Sequence, residues 1–480
     1  MLTIYDYLNI VFYFCFIAGV GIYFVRRSKN PSDYFRAGGV LPWWVTGAST
    51  WMMGFSAWTF TGAAGKMYQS GPYAILLFYA IIIPWIIMLL FTSYRFRRMK
   101  VVTPFEAVRL RFGQGSQVFF TWMRLPFLLI FGGLALNAIS VFMAGVFMVD
   151  TWIIILIMAI MVTTLSLLGG SFGVAASDFV QMFLVVTVTI AVAILALKLP
   201  DIGGVSGMLK QAPAQHYDWS ELARPQFIIL WVIGLILTKT FEENSIDKSA
   251  KYLMSRSDKH ARMTLIIPLV GTIIAPLIWL VPPTVAAIRH PDMGSLFTNL
   301  KFPEEAAFLI TASEVLPQGM LGLLLCSIFA ATLTTMDAGL NQGAGIFVRN
   351  FYLPIINPDC PEKKLLIISK ISTGAFGIIM LACALLWYNF RDLGLFDLVN
   401  QVAISLGIPM AIPLCFALYW KRTPPWAAWS TVLIGLTASF CVKFLLKPEM
   451  FDWFPGGLGG PYTVEETTQF YVFATVIIVG

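Results

Sequence analysis

The residues with the clearest chemical potential in this sequence are hydroxyls and a carboxylate inside a long apolar run at residues 320–347. Thr334 and Thr335 are adjacent, and Asp337 follows two positions later. Oxygen ligands of this kind suit hard cations such as Na⁺. The pattern leaves two interpretations open: the threonines donate back to carbonyls of their own helix, or they help to bind a cation.

A second polar stretch lies at residues 51–66, inside another apolar run. It combines Gly54, Gly62 and Gly65 with several hydroxyls, and this composition predicts a helix that is weakened near the middle of the membrane. In lipid, a broken helix is tolerated only where the freed backbone groups line a cavity or bind something. Close packing between helices through small residues is the alternative explanation.

A third candidate is the carboxylate of Asp178, which follows Gly169 and Gly170 at the predicted cytoplasmic start of an apolar run. Ionisable residues within a membrane are expensive, and they are therefore functional candidates. The alternative is a structural carboxylate that is favoured by the dipole at a helix N-terminus.

The composition requires that lipid surrounds these residues. Of the 480 residues, 58% are hydrophobic and only 12% are charged, whereas a soluble domain has about 25% charged residues. The formal net charge of +7 comes from basic residues dispersed among short loops. Membrane topology explains this charge better than a nucleic-acid partner, so we expect none.

The apolar runs predict an all-α integral membrane protein with about thirteen transmembrane helices, since about 20 apolar residues span a bilayer. Residues 1–480 form a single membrane transport domain in this interpretation, and we expect the chain to continue beyond Gly480, where an apolar run stops. The predicted spans are Tyr7–Val25, Pro42–Ser70, Tyr73–Tyr94, Phe120–Met148, Trp152–Leu168, Phe179–Leu199, Gln226–Glu243, Leu265–Ile288, Met320–Phe347, Leu365–Tyr388, Leu393–Trp420, Trp426–Leu446 and Phe470–Gly480.

Basic residues predict the orientation of these spans. Lysine and arginine concentrate in alternate loops, and the loops between them are richer in acidic residues. By the positive-inside rule, the basic loops are cytoplasmic and the N-terminus is outside. We therefore expect a multi-pass protein of the cell membrane, plasma or inner.

Several motifs in order along the chain resemble those of the sodium:solute symporter family, which includes sodium–glucose, sodium–proline and sodium–sialic acid transporters. The resemblance covers nearly all of the chain. The motifs are Asp33–Gly39, Thr103–Glu106 with Arg111–Gly113, Gly169–Gly170 with Asp178–Gln181, Leu316–Leu323, and Tyr419–Arg422. One departure is Ala250-Lys251-Tyr252, where the family usually has Gln-Arg-Tyr.

The resemblance implies a five-plus-five inverted repeat of the leucine-transporter type. Residues 42–199 would form the first repeat and residues 226–422 the second, with the first helix of each broken. One extra span would precede the repeats, and further spans would follow them.

The resemblance also implies a Na⁺ site between the second and ninth spans. Its ligands would be the backbone carbonyls of Met52, Phe55 and Ala331 and the hydroxyls of Thr334 and Thr335. Some family members bind a second ion at the aspartate that is Asp178 here, which leads us to predict a second cation or proton site between Asp178 and Asp337.

For the solute, the resemblance points to Ser56, Trp58 and Thr59. Sugar-transporting relatives carry a Glu-Gln pair where this chain has Trp58 and Thr59, which disfavours a sugar bound in that way. We therefore predict a sodium-coupled symporter that imports a small organic solute by alternating access, with Na⁺, the solute and the lipid bilayer as its partners.

Other functions remain as alternatives to this prediction. They are a proton-coupled symporter and a membrane sensor or receptor built on a transporter domain. An enzyme is disfavoured, because the three histidines His216, His260 and His290 fall in predicted loops and the sequence has no metal or nucleotide motif.

Overall fold

This computed structural model describes residues 2–25, 37–54, 56–217, 233–390, 394–395, 399 and 403–445. Within these ranges the chain is helical, apart from one isolated β-bridge between Leu41 and Ser255. The α-helices in chain order are α1 (Ile4–Val25), α2 (Trp43–Met53), α3 (Ala57–Phe60), α4 (Gly62–Ser70), α5 (Ile75–Tyr79), α6 (Ile82–Ile87), α7 (Ser93–Arg98), α8 (Pro104–Phe112), α9 (Gln114–Phe147), α10 (Thr151–Leu197), α11 (Gly204–Gln211), α12 (Gly234–Glu243), α13 (Ala250–Leu253), α14 (Asp258–Met263), α15 (Ile266–Trp279), α16 (Val281–Arg289), α17 (Ala307–Val315), α18 (Met320–Phe347), α19 (Glu362–Phe390), α20 (Ile408–Tyr419) and α21 (Pro425–Leu445).

Shorter turns of other helix types connect these elements. The 3₁₀ turns are Ala37–Gly39, Gly71–Ala74, Ala214–Tyr217, Ile246–Ser249 and Pro303–Ala306, and the π-helical turns are Met88–Thr92, Val348–Ile356 and Ala403–Gly407.

The helices match the apolar runs from which the spans were predicted. In the described part of the chain, four helical segments are long and apolar enough to cross a bilayer: Gln114–Phe147, Asp178–Leu197, Asp258–Arg289 and Glu362–Phe390. Shorter apolar helices cover parts of other predicted spans. The predicted last span, Phe470–Gly480, lies outside the described residues, and the count of thirteen stays a prediction.

Helix α10 joins two predicted spans in one helical segment of 47 residues. If straight, it would be about 70 Å long, more than twice the hydrocarbon thickness of a bilayer. Yet the residues that precede and follow it in the chain both lie near α17. Before α10, a Cβ added to Gly145 at the end of α9 would lie 3.0 Å from Leu309 of α17. After α10, Asp201 lies 3.1 Å from Arg289, and the same arginine lies 2.8 Å from Glu314 of α17. The chain therefore reverses direction within this segment, in agreement with two spans.

The helix predicted to be broken is interrupted at the expected place. Helix α2 ends at Met53 and α3 begins at Ala57, and Ser56 between them has an extended backbone with φ −157° and ψ −179°. A second irregularity follows at Thr61, with φ −118° and ψ −83°, before α4. The glycine and hydroxyl content of this stretch thus identified a real interruption.

A comparable interruption follows α12, in the predicted first helix of the second repeat. Helix α12 ends at Glu243, and Ser245 is extended with ψ 152° before the 3₁₀ turn Ile246–Ser249. The earlier part of that predicted span, residues 226–232, lies outside the described residues.

Small residues allow the long helices around these interruptions to pack closely. On α9, a Cβ added to Gly133 would lie 2.7 Å from the Cβ of Cys383 on α19. One turn further along α9, the buried side-chain amide of Asn137 donates to the carbonyl of Ala384 at 3.3 Å. Helices α9, α10, α18 and α19 pack against one another and form the frame that holds α2.

Candidate ion and solute site

A cavity of about 380 Å³ lies beside the interruption. One end is lined by the aromatic side chains of Trp58, Phe78 and Trp279. The cavity continues past the interruption at Ser56 and the hydroxyl-bearing Thr335 of α18. It then extends to a group of charged side chains near α12 and the 3₁₀ turn after it: Arg124, Lys239, Glu242, Glu243, Asp247 and Lys248.

The aromatic end of this cavity is closed by a chain of hydrogen bonds. The indole N–H of Trp58 donates to the carbonyl of Leu395 at 3.2 Å. The backbone N–H of Leu395 in turn donates to the buried carboxylate of Glu305 at 2.7 Å. Beside them, α4 approaches so closely that a Cβ added to Gly65 would lie 3.3 Å from the backbone of Glu304 and Glu305. Among the described residues, there is therefore no direct path for a solute between α4 and the backbone of Glu304 and Glu305.

The interruption is bonded to α18 through a residue that the sequence analysis did not single out. The backbone N–H of Ala57, the first residue of α3, donates to the hydroxyl of Thr332 at 2.8 Å. Thr332 donates in turn to the carbonyl of Ile328 at 2.9 Å, and it is fully buried. Thr332 lies one turn before Thr335, on the same face of α18. This spacing could have identified it from the sequence as a residue that faces the interruption.

Of the predicted Na⁺ ligands, the structure describes three fully. Met52 is buried in the last turn of α2, and Ala331 is buried on α18. The hydroxyl of Thr335 lies 3.3 Å from the carbonyl oxygen of Ala331, to which it donates, and Thr335 lines the cavity. Phe55 and the side chain of Thr334 lie outside the described residues.

This arrangement suits a monovalent cation. The last carbonyls of a helix have no partners within the helix, and they carry the negative end of its dipole, so the end of α2 attracts positive charge. A threonine hydroxyl that donates its proton to a carbonyl keeps its oxygen lone pairs available for a cation. The back-bonding of Thr335 is therefore compatible with a ligand role, and the two interpretations of this residue do not exclude each other.

Asp178 has a cationic partner from its own chain. Its carboxylate accepts a hydrogen bond from the hydroxyl of Ser49 on α2. The ammonium of Lys251 lies 3.5 Å from the Asp178 carboxylate and donates to Ser49 at 2.6 Å. Asp178 and Lys251 are only 1% and 5% exposed. Lys251 belongs to Ala250-Lys251-Tyr252, the segment that departs from the family's Gln-Arg-Tyr motif. The side chain of Asp337, the other predicted member of this site, lies outside the described residues.

The predicted solute residues occupy two different environments. Ser56 and Trp58 line the cavity, and the Ser56 hydroxyl accepts the backbone N–H of Trp58 at 3.3 Å as the N-cap of α3. Thr59 is 4% exposed and is absent from the residues that line the cavity. Its hydroxyl has no hydrogen-bond partner among the described residues.

Comparison with known proteins gives a consistent result. A family profile described as the sodium:solute symporter family matches residues 34–435. A sodium/sialic acid symporter, SiaT, of Proteus mirabilis is 24% identical over 92% of this chain and 90% of its own length. A sodium/glucose cotransporter of Vibrio parahaemolyticus is 27% identical over 93% of this chain and 86% of its own length.

The fold also has a counterpart among solved structures. A structure described as the substrate-bound outward-open state of a Na⁺-coupled sialic acid symporter superposes with a TM-score of 0.79 and 19% sequence identity. The superposition covers 99% of this chain and 97% of that one. At this identity, the likeness shows a common fold.

Proposed function

The chain belongs to the sodium:solute symporter family, a family of multi-pass membrane proteins, and we propose that it imports a small organic solute together with Na⁺ by alternating access. The observation that carries the proposal is the interruption between α2 and α3, which is bonded to α18 through Ala57 and Thr332 beside a cavity. A broken helix next to a cavity is the arrangement by which transporters bind an ion and a solute near the middle of the membrane.

The Na⁺ site of this proposal uses the carbonyls of Met52, Phe55 and Ala331 and the hydroxyls of Thr334 and Thr335. Support comes from the burial of Met52 at the end of α2, and from the position of Thr335 on the cavity wall next to the Ala331 carbonyl. A Na⁺ ion held there would bridge α2 to α18 and so brace the interrupted helix.

The cavity supports an inward-facing state. The end near α4 is closed by Trp58, Leu395 and Glu305. The opposite end reaches Lys248, which is partly exposed and belongs to a basic loop that the positive-inside rule assigns to the cytoplasm. With the N-terminus outside, α4 would close the external path, and solute would leave towards α12 and α13.

The interruptions after α2 and after α12 support the proposed five-plus-five repeat. Each falls in the predicted first helix of a repeat, residues 42–199 and residues 226–422. Inverted repeats place two such interruptions next to each other at the transport site, and residues from both line the cavity here: Gly54 and Ser56 from the first, Ser245 from the second.

For the second predicted cation site, we propose that the ammonium of Lys251 is the cation that pairs with Asp178. Its 3.5 Å distance from the carboxylate and its near-complete burial support this assignment. With that position filled by the protein itself, one Na⁺ ion would be coupled to each solute. The solute would occupy the cavity that Ser56 and Trp58 line, with Thr59 behind them.

Thermal unfolding in different salts tests the coupling ion without knowledge of the solute. The purified protein is unfolded in NaCl, KCl and choline chloride at equal ionic strength. A ligand at 100 times its dissociation constant adds about 2.7 kcal/mol of stability, so Na⁺ alone should raise the unfolding temperature. The double variant Thr334→Ala, Thr335→Ala should lose this shift. Equal stability in the three salts would contradict Na⁺ coupling and favour a proton-coupled or sensing role.

A further inference from the structure

The charged end of the cavity contains an ion pair that is incompletely bonded. The guanidinium of Arg124, on α9, lies 2.7 Å from the carboxylate of Asp247, in the 3₁₀ turn after α12, through a single nitrogen–oxygen contact. The two side chains are 14% and 8% exposed, and both residues line the cavity. Among the described residues, the Nε atom of Arg124 and the Oδ1 atom of Asp247 have no hydrogen-bond partner.

This incomplete bonding distinguishes the pair from the other charges at the same end. The ammonium of Lys248 lies 3.3 Å from the carboxylates of both Glu242 and Glu243, and Lys239 lies 2.8 Å from Glu242. An arginine and a carboxylate usually satisfy each other through two parallel hydrogen bonds. A buried donor or acceptor without a partner costs about 1–3 kcal/mol. A ligand that bonded the Nε atom of Arg124 or the Oδ1 atom of Asp247 would remove this cost.

The charge of the lining restricts what such a partner can be. Among the described residues, three basic and three acidic side chains line this end of the cavity, and their formal charges sum to zero. A solute with a net charge would enter with no compensating group, because every charge already has a counter-charge. A solute with one negative and one positive group could bind Arg124 and Asp247 at once and leave the cavity neutral.

We propose that Arg124 and Asp247 form a binding site for a zwitterionic solute of the amino-acid type. The solute carboxylate would accept from the Arg124 guanidinium, and its ammonium would donate to the Asp247 carboxylate. The remainder of the solute would face the aromatic side chains of Phe105, Phe120 and Phe127, which line the same part of the cavity. This inference rests on the proposed function, and it names the class of solute that the symporter carries.

The test uses the common L-amino acids as probes. Each is added at millimolar concentration to the full chain in NaCl, and the unfolding temperature is measured. At least one amino acid should raise it. Its 2-hydroxy acid analogue, which lacks the ammonium, and its decarboxylated amine should bind at least tenfold more weakly. A shift given by hexoses and by no amino acid would overturn the proposal.

Variants locate the binding. The double variant Arg124→Gln, Asp247→Asn removes both charges of the pair, and it should weaken amino-acid binding at least tenfold while it keeps the shift caused by Na⁺. The matched control is Lys239→Gln, Glu242→Gln, which removes another ion pair from the same lining and should keep amino-acid binding. Unchanged affinity in the first variant would overturn the assignment of the site.

The Na⁺ response separates this inference from the proposed function. Stabilisation by Na⁺ with no response to any amino acid would contradict only the solute class. Absence of both responses would contradict symport with Na⁺ as well.

Discussion

Two buried polar regions lie along α2. One is built from neutral groups, and the other contains a carboxylate paired with a lysine. At its C-terminal end α2 is interrupted, and the neutral residues Gly54 and Ser56 line the same cavity as Thr335 of α18. One turn earlier, Ser49 contacts a full negative charge on Asp178, and the chain supplies its own cation there from Lys251. We refer to these as the break region and the Asp178 region.

The difference teaches what a transport site for an ion requires. A carboxylate buried in a membrane is so costly without a partner that it attracts a counter-ion from the protein wherever one is within reach. Neutral carbonyls and hydroxyls at the end of a helix attract a cation more weakly and leave room for it. Reversible binding of Na⁺ therefore fits the break region, and permanent neutralisation fits the Asp178 region.

Removal of the lysine should break this comparison with the largest effect. In Lys251→Met, a side chain of similar length replaces the ammonium and removes the cation that lies 3.5 Å from the buried Asp178 carboxylate. Loss of one partner of a buried pair costs about 3–5 kcal/mol, so we expect a large fall in unfolding temperature in choline chloride. In NaCl, Na⁺ should fill the vacated position, so the stabilisation by Na⁺ should increase and its concentration dependence should become steeper.

The control is the double variant Lys251→Met, Asp178→Asn, which removes both charges. It should recover most of the stability that the single variant loses and should show the ordinary concentration dependence for Na⁺. A single variant as stable as the parent protein would show that Lys251 does not neutralise Asp178.

Removal of a hydroxyl at the break region should affect ion binding more than folding. Thr335→Ala deletes an oxygen next to the Ala331 carbonyl. Hydrogen bonds to charged groups are worth about 1.5–3 kcal/mol, and a ligand contact of this size corresponds to a Na⁺ affinity that is about 10–100 times weaker. A Na⁺ titration of the unfolding temperature measures this, and Thr335→Ser, which keeps the hydroxyl, should bind Na⁺ normally. An unchanged half-saturating concentration in the alanine variant would remove Thr335 from the site.

A third variant separates support of the break from ligation of the ion. In Thr332→Val, the N–H of Ala57 loses its buried acceptor, which costs about 1–3 kcal/mol. The loss of stability should appear in NaCl and choline chloride alike, and Thr332→Ser should restore it. If stability fell only in NaCl, Thr332 would belong to the Na⁺ site itself.

The smallest effect is expected at the edge of the Asp178 region. Ser49→Ala removes one hydroxyl from a carboxylate that keeps its lysine. Hydrogen bonds to charged groups contribute about 1.5–3 kcal/mol, but Asp178 and Lys251 already lie 3.5 Å apart and can bond each other directly. The unfolding temperature should therefore fall only slightly, and equally in both salts. A change in the response to Na⁺ would mean that the two regions are coupled through α2.

The sequence predicted the break region better than the Asp178 region for a physical reason. An interruption depends on local composition, and Gly54, Gly62 and Gly65 with their neighbouring hydroxyls were sufficient to predict one within residues 51–66, where the structure has it between Met53 and Ala57. The pairing of Asp178 with Lys251 joins positions that are far apart in the chain, so only the packing of the helices reveals it. The motif departure at Lys251 was visible in the sequence, but its partner was not.

Other features of the site escaped prediction for the same reason. Thr332 was overlooked beside Thr334 and Thr335, because the identity of the residue facing the break depends on the rotation of α18. Arg124 and Asp247 come from distant segments that meet only at the cavity. The roles proposed for Phe55, Thr334 and Asp337 still rest on the resemblance to the family, since the structure does not describe those side chains.

The close approach of α4 to the backbone of Glu304 and Glu305 has a consequence for inhibition. Because even a Cβ added to Gly65 would lie only 3.3 Å from this backbone, an antibody loop or a small molecule inserted between the two segments would prevent this end from closing. Such an inhibitor would touch neither the ion nor the solute, so excess solute would not displace it. Its blockade would be non-competitive, and its footprint would lie on a surface exposed only during part of each turnover.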